Sequence, residues 1–477
     1  MARSNVLRPS GGRVASVDVK AISIPHVVRG EVVTGDEVEH VFSDGTVIAT
    51  PSLDLDSLVW PRSELGPAFD VPIAEILDVL AALSEGLRND DAGYLAEALE
   101  AMLSTTNSLG RPVLERTYAE LWRSLSGDRL RGMLEAELGG IDVIDGWHPA
   151  PRPAPLTGQV RAFPPRLVHI MAGNTPGVAA VTIARGAMTK GVHLLKMASN
   201  DLFSATAILR TLADVAPGHA VTRSFSAVYW RGGDQVVESA LFRPQFFDKL
   251  VAWGGEGAIR GALRYIGPGF ELVSFDPKDS ISFVGREAFA SNATLAEAAD
   301  AAAVDVTVFN QEACVASRFI YVEGSVEDAD RFCEALVGRL EVERPTSSAT
   351  GPQVPSELRE EIQGLALLDD LYRVWGRYDG TGLVIRSDEP VGFQPSGKAV
   401  NVVPVDRLRD AVAFANAATQ TVGVYPPERK AELRDPLASA GVQRVVTLGK
   451  ALGGGPGLPH DGFYPMHRFV KWVADED

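Results

Sequence analysis

Four stretches combine residue types that could do chemistry. FNQEACVASRF, residues 309–319, sets Cys314, one of only two cysteines, between a helix-like run and an apolar strand-like run. A thiolate there is a candidate nucleophile. Free cysteine is also among the most buried residue types, so packing alone accounts for most isolated ones. What separates Cys314 is its setting: Asn310, Gln311 and Glu312 form a polar run that a packing cysteine does not require, and Arg318 follows four residues on. Cys333, inside DADRFCEALVGRL, has no such neighbours and reads as core. In HIMAGNTPG a strand runs through Gly173 into Asn174 and a helix start, where asparagine caps well and Pro176 is favourable. In VHLLKMASND, Lys196 ends a buried-type strand, placed either to bind a ribose or phosphate or simply to be solvated. WGGEGAIRG, with Trp253, Gly254 and Gly255, is a glycine turn that lets a pyrophosphate approach a helix N-terminus, although it is not G-x-G-x-x-G.

The elements that must position these residues alternate regularly. From RLVHIMAG to FELVSFD, short apolar strands alternate with amphipathic helices, which predicts βαβ units in a mostly parallel, doubly wound sheet. Such sheets bind ligands at the carboxyl ends of their strands. Residues 1–60 read as an accessory β segment. Residues 61–285 read as a helical lead-in, broken at WHPAPRPAPLTG, and a dinucleotide-binding domain. A looser alternation over 286–450 predicts a second α/β domain carrying Cys314. It includes helices near 293–308 and 355–372, then AVNVVPV, a helix, TVGVYP, a helix and VQRVVTLG. Residues 451–477 read as a loop and a closing helix containing MHRFVKWV.

Composition narrows the function. A chain of 477 residues that is 45% hydrophobic can bury a large core. A formal charge of −17 argues against nucleic acid or an anionic membrane as partner. Two cysteines and eight scattered histidines offer neither a disulfide framework nor a structural zinc site. The N-terminus MARSNVLRPSGGRVASV lacks an apolar signal core, and no membrane span is expected, so a cytoplasmic protein is.

In order and spacing, the strand-then-Asn174, Lys196, the Trp253-Gly254-Gly255 turn and the Cys314 loop resemble the aldehyde dehydrogenase superfamily. Within it, RLVHIMAGNTPGVAA, TRSFSAVYWRGGD, GPGFELVSFDPKDSISF and FNQEACVASRF resemble the LuxC-type acyl-CoA reductases over residues 70–477. The resemblance implies that Cys314 forms a thioacyl intermediate still open to hydride. It implies that Asn174 and the Cys314 N–H hold the oxyanion, and that Lys196 and the glycine turn hold the dinucleotide. Glu389, in DEPVGFQPSG, is the counterpart of the carboxylate that orients the nicotinamide ribose in relatives. Where NAD-preferring members keep a glutamate three residues after the lysine, this chain has Ser199, which favours NADPH.

The oxidising relatives carry a water-activating glutamate in E-L-G-G-K, where this chain reads LVSFDPKDS; neither Asp276 nor Asp279 is assigned to that role. Its loss favours reduction over hydrolysis. The expected activity is therefore NADPH-dependent reduction of a long-chain acyl-CoA or acyl-protein thioester to aldehyde, by a homo-oligomer, with an acyl-transferring enzyme as a candidate partner and no metal. The rivals are an aldehyde dehydrogenase that makes acids, and a non-enzymatic acyl-thioester-binding subunit. An accessible Cys314 of low pKa would speak for the enzyme, and an inert buried one for the scaffold.

Overall fold

The computed structural model describes residues 21–476 apart from 106–107, 151–152, 154–155 and 369–370. The N-terminal leader reading, the first third of the 1–60 segment and part of the proline-rich break lie outside the described residues.

Two seven-stranded sheets organise the chain. The first contains β1 (His26–Val28), β2 (Glu31–Val33), β3 (Arg166–Ile170), β4 (Val192–Lys196), β5 (Phe225–Val228), β6 (Lys249–Trp253) and β7 (Glu271–Phe275), in the order β7-β6-β3-β4-β5-β1-β2. Strands β3 to β7 pair in parallel, and the hairpin β1–β2 adds antiparallel to β5. All five residues of β4 and of β6 are buried, as expected of continuous apolar strands covered by helices on both faces. The remaining early strands, Ile22–Ser23, Glu37–Val41 and Val47–Pro51, form a small sheet of their own.

The second sheet contains β8 (Asp279–Val284), β9 (Ser317–Glu323), β10 (Tyr372–Arg377), β11 (Gly382–Ser387), β12 (Ala399–Val405), β13 (Thr419–Tyr425) and β14 (Arg444–Thr447), in the order β10-β11-β12-β9-β8-β13-β14. Only the edge pair β10–β11 is antiparallel.

Four helices matter below: α1 (Gly127–Leu138), α2 (Gly177–Met188) after β3, α3 (Glu256–Leu263) after β6, and α4 (Asn292–Thr307). The lead-in helix Ile73–Asn89 buries Ile76, Leu80 and Leu83 in one cluster with Ile183 of α2 and Leu195 of β4. Each such side chain contributes about 1.5–3 kcal/mol relative to exposure. An ion pair with a buried lysine ties this joint: the exposed Asp145 binds the Lys190 ammonium, whose side chain is 2% exposed, and also accepts the first N–H of that lead-in helix at 3.0 Å.

The α/β expectation holds, and the departures are local. Strands β10 and β11 were not expected: YRVWGR carries charge where a strand core would be apolar, which β10 tolerates as the edge strand, and β11 is the buried strand it pairs with. Residues 410–414 make only a 3-10 turn between β12 and β13. MHRFVKWV is not one closing helix. After a short helix at Pro465–Phe469, Lys471–Glu476 forms a strand antiparallel to Gly158–Phe163, so tertiary pairing overrides a short local pattern.

Candidate active site

Strand order in the first sheet reverses between β3 and β6, the switch point at which doubly wound sheets open a crevice. Both turns singled out in sequence lie there: Asn174 follows β3, and Gly254–Gly255 follow β6. Asn174 does not cap the helix through its side chain. Its amide donates to the Glu312 carbonyl at 3.2 Å, across the junction to the second sheet, while its carbonyl oxygen is buried without a partner. Residues 138 apart in sequence are thus joined two positions before Cys314.

The Cys314 loop is strained. Phe309, Asn310 and Gln311 are consecutive non-glycine residues in the left-handed region, with φ of 48°, 52° and 73°. That conformation costs roughly 1–2 kcal/mol per residue and persists only where surroundings enforce it. The enforcement is visible. The Asn310 amide donates to Ser108 O and Leu109 O at 2.7 and 3.0 Å and accepts from the Ser348 N–H at 2.9 Å. Gln311 donates to Ala399 O at 2.7 Å, and Arg318 donates to Gln311 O at 3.0 Å. The polar run NQE therefore builds the turn that presents the cysteine.

Cys314 sits just before β9, at the amino ends of the second sheet's strands. Ser280, on β8, donates its hydroxyl to Cys314 O at 2.8 Å. Gln420, on β13, donates from Nε2 to Sγ at 3.3 Å, and the same nitrogen donates to Asp461 Oδ1 at 2.6 Å. A carboxylate can only accept, which fixes which end of the Gln420 amide faces the pair. Arg444, on β14, donates to Thr421 Oγ1 at 3.1 Å and acts electrostatically on Cys314 and Asp461. Burial pushes the Cys314 thiol up; the Gln420 donor and Arg444 pull it down, and Asp461 opposes them. The thiol is partly accessible but does not have the low pKa expected of an activated nucleophile. Burial likewise raises the Asp461 carboxyl. His460, next to Asp461, is lowered to about 4 by burial and by the charges of Arg185 and Arg444, so it is neutral at pH 7. Cys333 is fully buried in the core of the helix Val326–Leu340.

The loop bearing His460 and Asp461 is tied down where Asp305, on α4, accepts from the Gly449 and Ala451 N–H groups at 2.8 and 3.0 Å. Sequence inspection missed Gln420, Arg444 and Asp461. Two stand at strand starts and one in a glycine- and proline-rich loop, where polar residues are ordinary. Asp279, in LVSFDPKDS, is engaged by the Gln394 amide and lies 3.8 Å from Arg318.

On the other side of the crevice, Gly254 has φ +145°, accessible only to glycine, and Gly255 opens α3 without a side-chain cap. A Cβ built at Gly255 or Gly257 would meet nothing within 4 Å, so the helix N-terminus faces open space that suits a pyrophosphate. Lys196 is not solvated: it is 7% exposed, with its ammonium 5.8 Å from the Tyr229 ring and 5.9 Å from that of Trp230. Burial lowers its pKa, against the pull of Glu238. Ser199 is exposed in the turn beyond it. The Trp253 ring stacks on Phe275 at 3.5 Å, so the residue offers the crevice its backbone rather than its indole. Glu389 is exposed beyond β11, on a segment joined to the nucleophile loop through Arg318, which donates to both Pro395 O and Gln311 O. Among the described residues, no cluster of three or more metal-ligating side chains occurs, and no helix is long and apolar enough to cross a membrane.

Comparison with known proteins identifies the family and the fold. Residues 68–472 match the family model described as acyl-CoA reductase (LuxC). A long-chain acyl-protein thioester reductase of Photorhabdus luminescens is 31% identical over 73% of this chain and 70% of its own. One from Photobacterium phosphoreum is 28% identical over 95% and 91%. Among solved structures, lactaldehyde dehydrogenase from Escherichia coli superposes with a TM-score of 0.70 at 15% identity, covering 96% of this chain and 99% of its own. An indole-3-acetaldehyde dehydrogenase from P. syringae, solved with NAD+, superposes with a TM-score of 0.69 at 15% identity, covering 97% of each chain. The chain has the aldehyde dehydrogenase fold and belongs to the acyl-CoA reductase family of the LuxC type.

Proposed function

We propose that this protein reduces acyl thioesters, acyl-CoA or acyl-protein, to aldehydes through a thioester on Cys314, with NADPH as hydride donor. One observation carries the reading: the Asn174 amide, at the end of a strand of the first sheet, donates to Glu312 O at 3.2 Å on the loop of the second sheet that presents the partly exposed Cys314 two residues on. The relatives named long-chain acyl-protein thioester reductases support the substrate class.

The chemistry follows from the positions. The Cys314 thiolate, stabilised by the Gln420 N–H, attacks the thioester carbonyl and expels the donor thiolate, leaving the acyl group on Sγ. Asn174 rotates from Glu312 O toward the developing oxyanion, alongside the Cys314 N–H. A reduced nicotinamide dinucleotide, when bound, supplies the hydride. The glycine turn at Gly254–Gly255 would hold its pyrophosphate, Lys196 and Ser199 would bind its ribose, and Glu389 would orient the nicotinamide end. Collapse of the tetrahedral adduct returns the Cys314 thiolate and releases aldehyde.

One carboxylate stands beside the thiol after all. Asp461 has an oxygen bound by Gln420, the residue that also binds Sγ. This contact occupies Asp461 and favours a slow attack by water. The test is to load the protein with radiolabelled acyl-CoA, remove excess donor, and follow the label in buffer, with NADPH, and with free CoA. The expected result is rapid discharge to aldehyde with NADPH, return to acyl-CoA with CoA, and slow loss otherwise. Fast release of acid in buffer alone would overturn the reductive reading and make Asp461 a water-activating base. Cys314→Ala should lose both label and turnover, and Cys333→Ala neither.

A further inference from the structure

A second polar feature lies behind the loop that carries His460 and Asp461. A cavity of about 40 Å³ is enclosed by α1, α2 and the turn Gly455–Leu458, with Ser124, Arg129, Met133, Val181 and Arg185 in its wall. The turn is fitted to its place: Gly457 has φ +75°, and a Cβ there would lie 2.5 Å from the Ala136 Cβ.

Arg185 is the unusual member. It is 7% exposed, and its Nε and Nη1 have no hydrogen-bond partner. Leaving a buried donor unpaired costs about 1–3 kcal/mol, more for a charged group. Its one nearby carboxylate, Glu137, stands 3.6 Å from Nη2, and the other Glu137 oxygen is committed to the Met466 N–H at 2.7 Å. Arg129, half-buried in the opposite wall, is close enough to act on Arg185 as a like charge. Two guanidinium groups therefore face one carboxylate around a cavity, leaving a net positive charge and unpaired donors.

We propose that this cavity is an oxyanion subsite, taking a carboxylate or phosphate group. The two segments that form it also form the thiol site. α2 starts three residues after Asn174 and reaches Arg185 about 12 Å further along its axis, at 1.5 Å per residue. The turn runs directly into His460, which senses both Arg185 and Arg444. Two sources of the anion fit: the far end of an acyl chain that carries a terminal carboxylate, which rests on the acyl-thioester reading above, and a free small anion, which does not.

The experiment has two arms. In the first, calorimetry with inorganic phosphate and with glutarate, in a zwitterionic buffer, is run on the wild type, Cys314→Ala, Arg129→Ala and Arg185→Lys. Saturable binding is expected in the wild type and in Cys314→Ala, weakened about tenfold or more, ~1.4 kcal/mol, in Arg129→Ala. Arg129 is half-buried, so this variant keeps the test decisive if Arg185→Lys fails to fold. In the second arm, turnover of ω-carboxyacyl-CoA is compared with that of the methyl-ended acyl-CoA of equal length. A lower KM for the carboxylated substrate, lost in Arg129→Ala, identifies the acyl end as the source. Anion binding without that preference identifies a free anion. If neither anion binds saturably, or binding is unchanged in Arg129→Ala, the cavity holds only water and the proposal falls, whatever the fate of aldehyde formation.

Discussion

Gln420 donates from one nitrogen to both the Cys314 sulfur, at 3.3 Å, and the Asp461 carboxylate, at 2.6 Å. The two contacts act on the thiol in opposite senses, since the donor favours thiolate and the nearby negative charge disfavours it. Gln420→Leu should therefore raise the Cys314 pKa, and Asp461→Asn should lower it. The pH dependence of iodoacetamide alkylation at Cys314 measures both. Shifts in the same direction would show that these residues only support the loop.

Asn174 is engaged by the Glu312 carbonyl, and the proposed reaction uses the N–H it can turn toward an oxyanion. Asn174→Ala should fold with an unchanged melting temperature and lose roughly 10²-fold or more in kcat, the usual scale for one oxyanion donor. Acylation of Cys314 should slow with it. A large fall in stability with normal turnover per folded molecule would assign Asn174 to scaffolding.

The proposed preference for NADPH rests on Ser199. Its exposed hydroxyl, three residues beyond the buried Lys196, leaves room for a 2′-phosphate where a carboxylate would repel it. Ser199→Glu should raise KM for NADPH and lower it for NADH, with kcat little changed. Equal use of both cofactors by the wild type would remove the argument.

Acid should unfold the protein. Burial holds His193 at about 3 and His26 at about 4, from an ordinary 6.5, and places the neighbouring His169 well below its ordinary value. These groups stay neutral in the fold but take protons in the unfolded chain below pH 6.5. The unfolded state then binds more protons, so stability present above 6.5 is lost as pH falls toward 4. Asp305, raised to about 6 by burial, works the other way between pH 6 and 3.8, and so do Asp461, Asp201 and Glu137, whose carboxyls burial also raises. The unfolding free energy from urea titration should be lower at pH 5 than at pH 7.5, and His193→Phe should reduce the difference.

Much of this was legible in the sequence, and what was not has a physical reason. The parallel sheets announce themselves because fully buried strands such as VHLLK and KLVAW are mostly apolar runs, with their few polar residues near the strand ends or paired inside. Asn174 and Cys314 stand out because each breaks the pattern at the end of an element. Gln420, Arg444 and Asp461 do not. Cys314 sits at the amino ends of the second sheet's strands, and a polar residue at a strand start resembles any solvated boundary. The strand Lys471–Glu476 was missed because its identity comes from pairing with residues more than 300 positions earlier, which no short window contains.

The left-handed run Phe309–Asn310–Gln311 puts the segment next to the nucleophile in local frustration: its backbone would prefer glycine, yet its side chains are what hold it. Replacing Asn310 by glycine relieves the backbone and cuts the moorings to Ser108, Leu109 and Ser348 in the same stroke. The anchoring sites belong to distant parts of the chain, and none of them touches the thiol. Substitutions there, harmless by any inspection of the active site, would be inherited as losses of turnover.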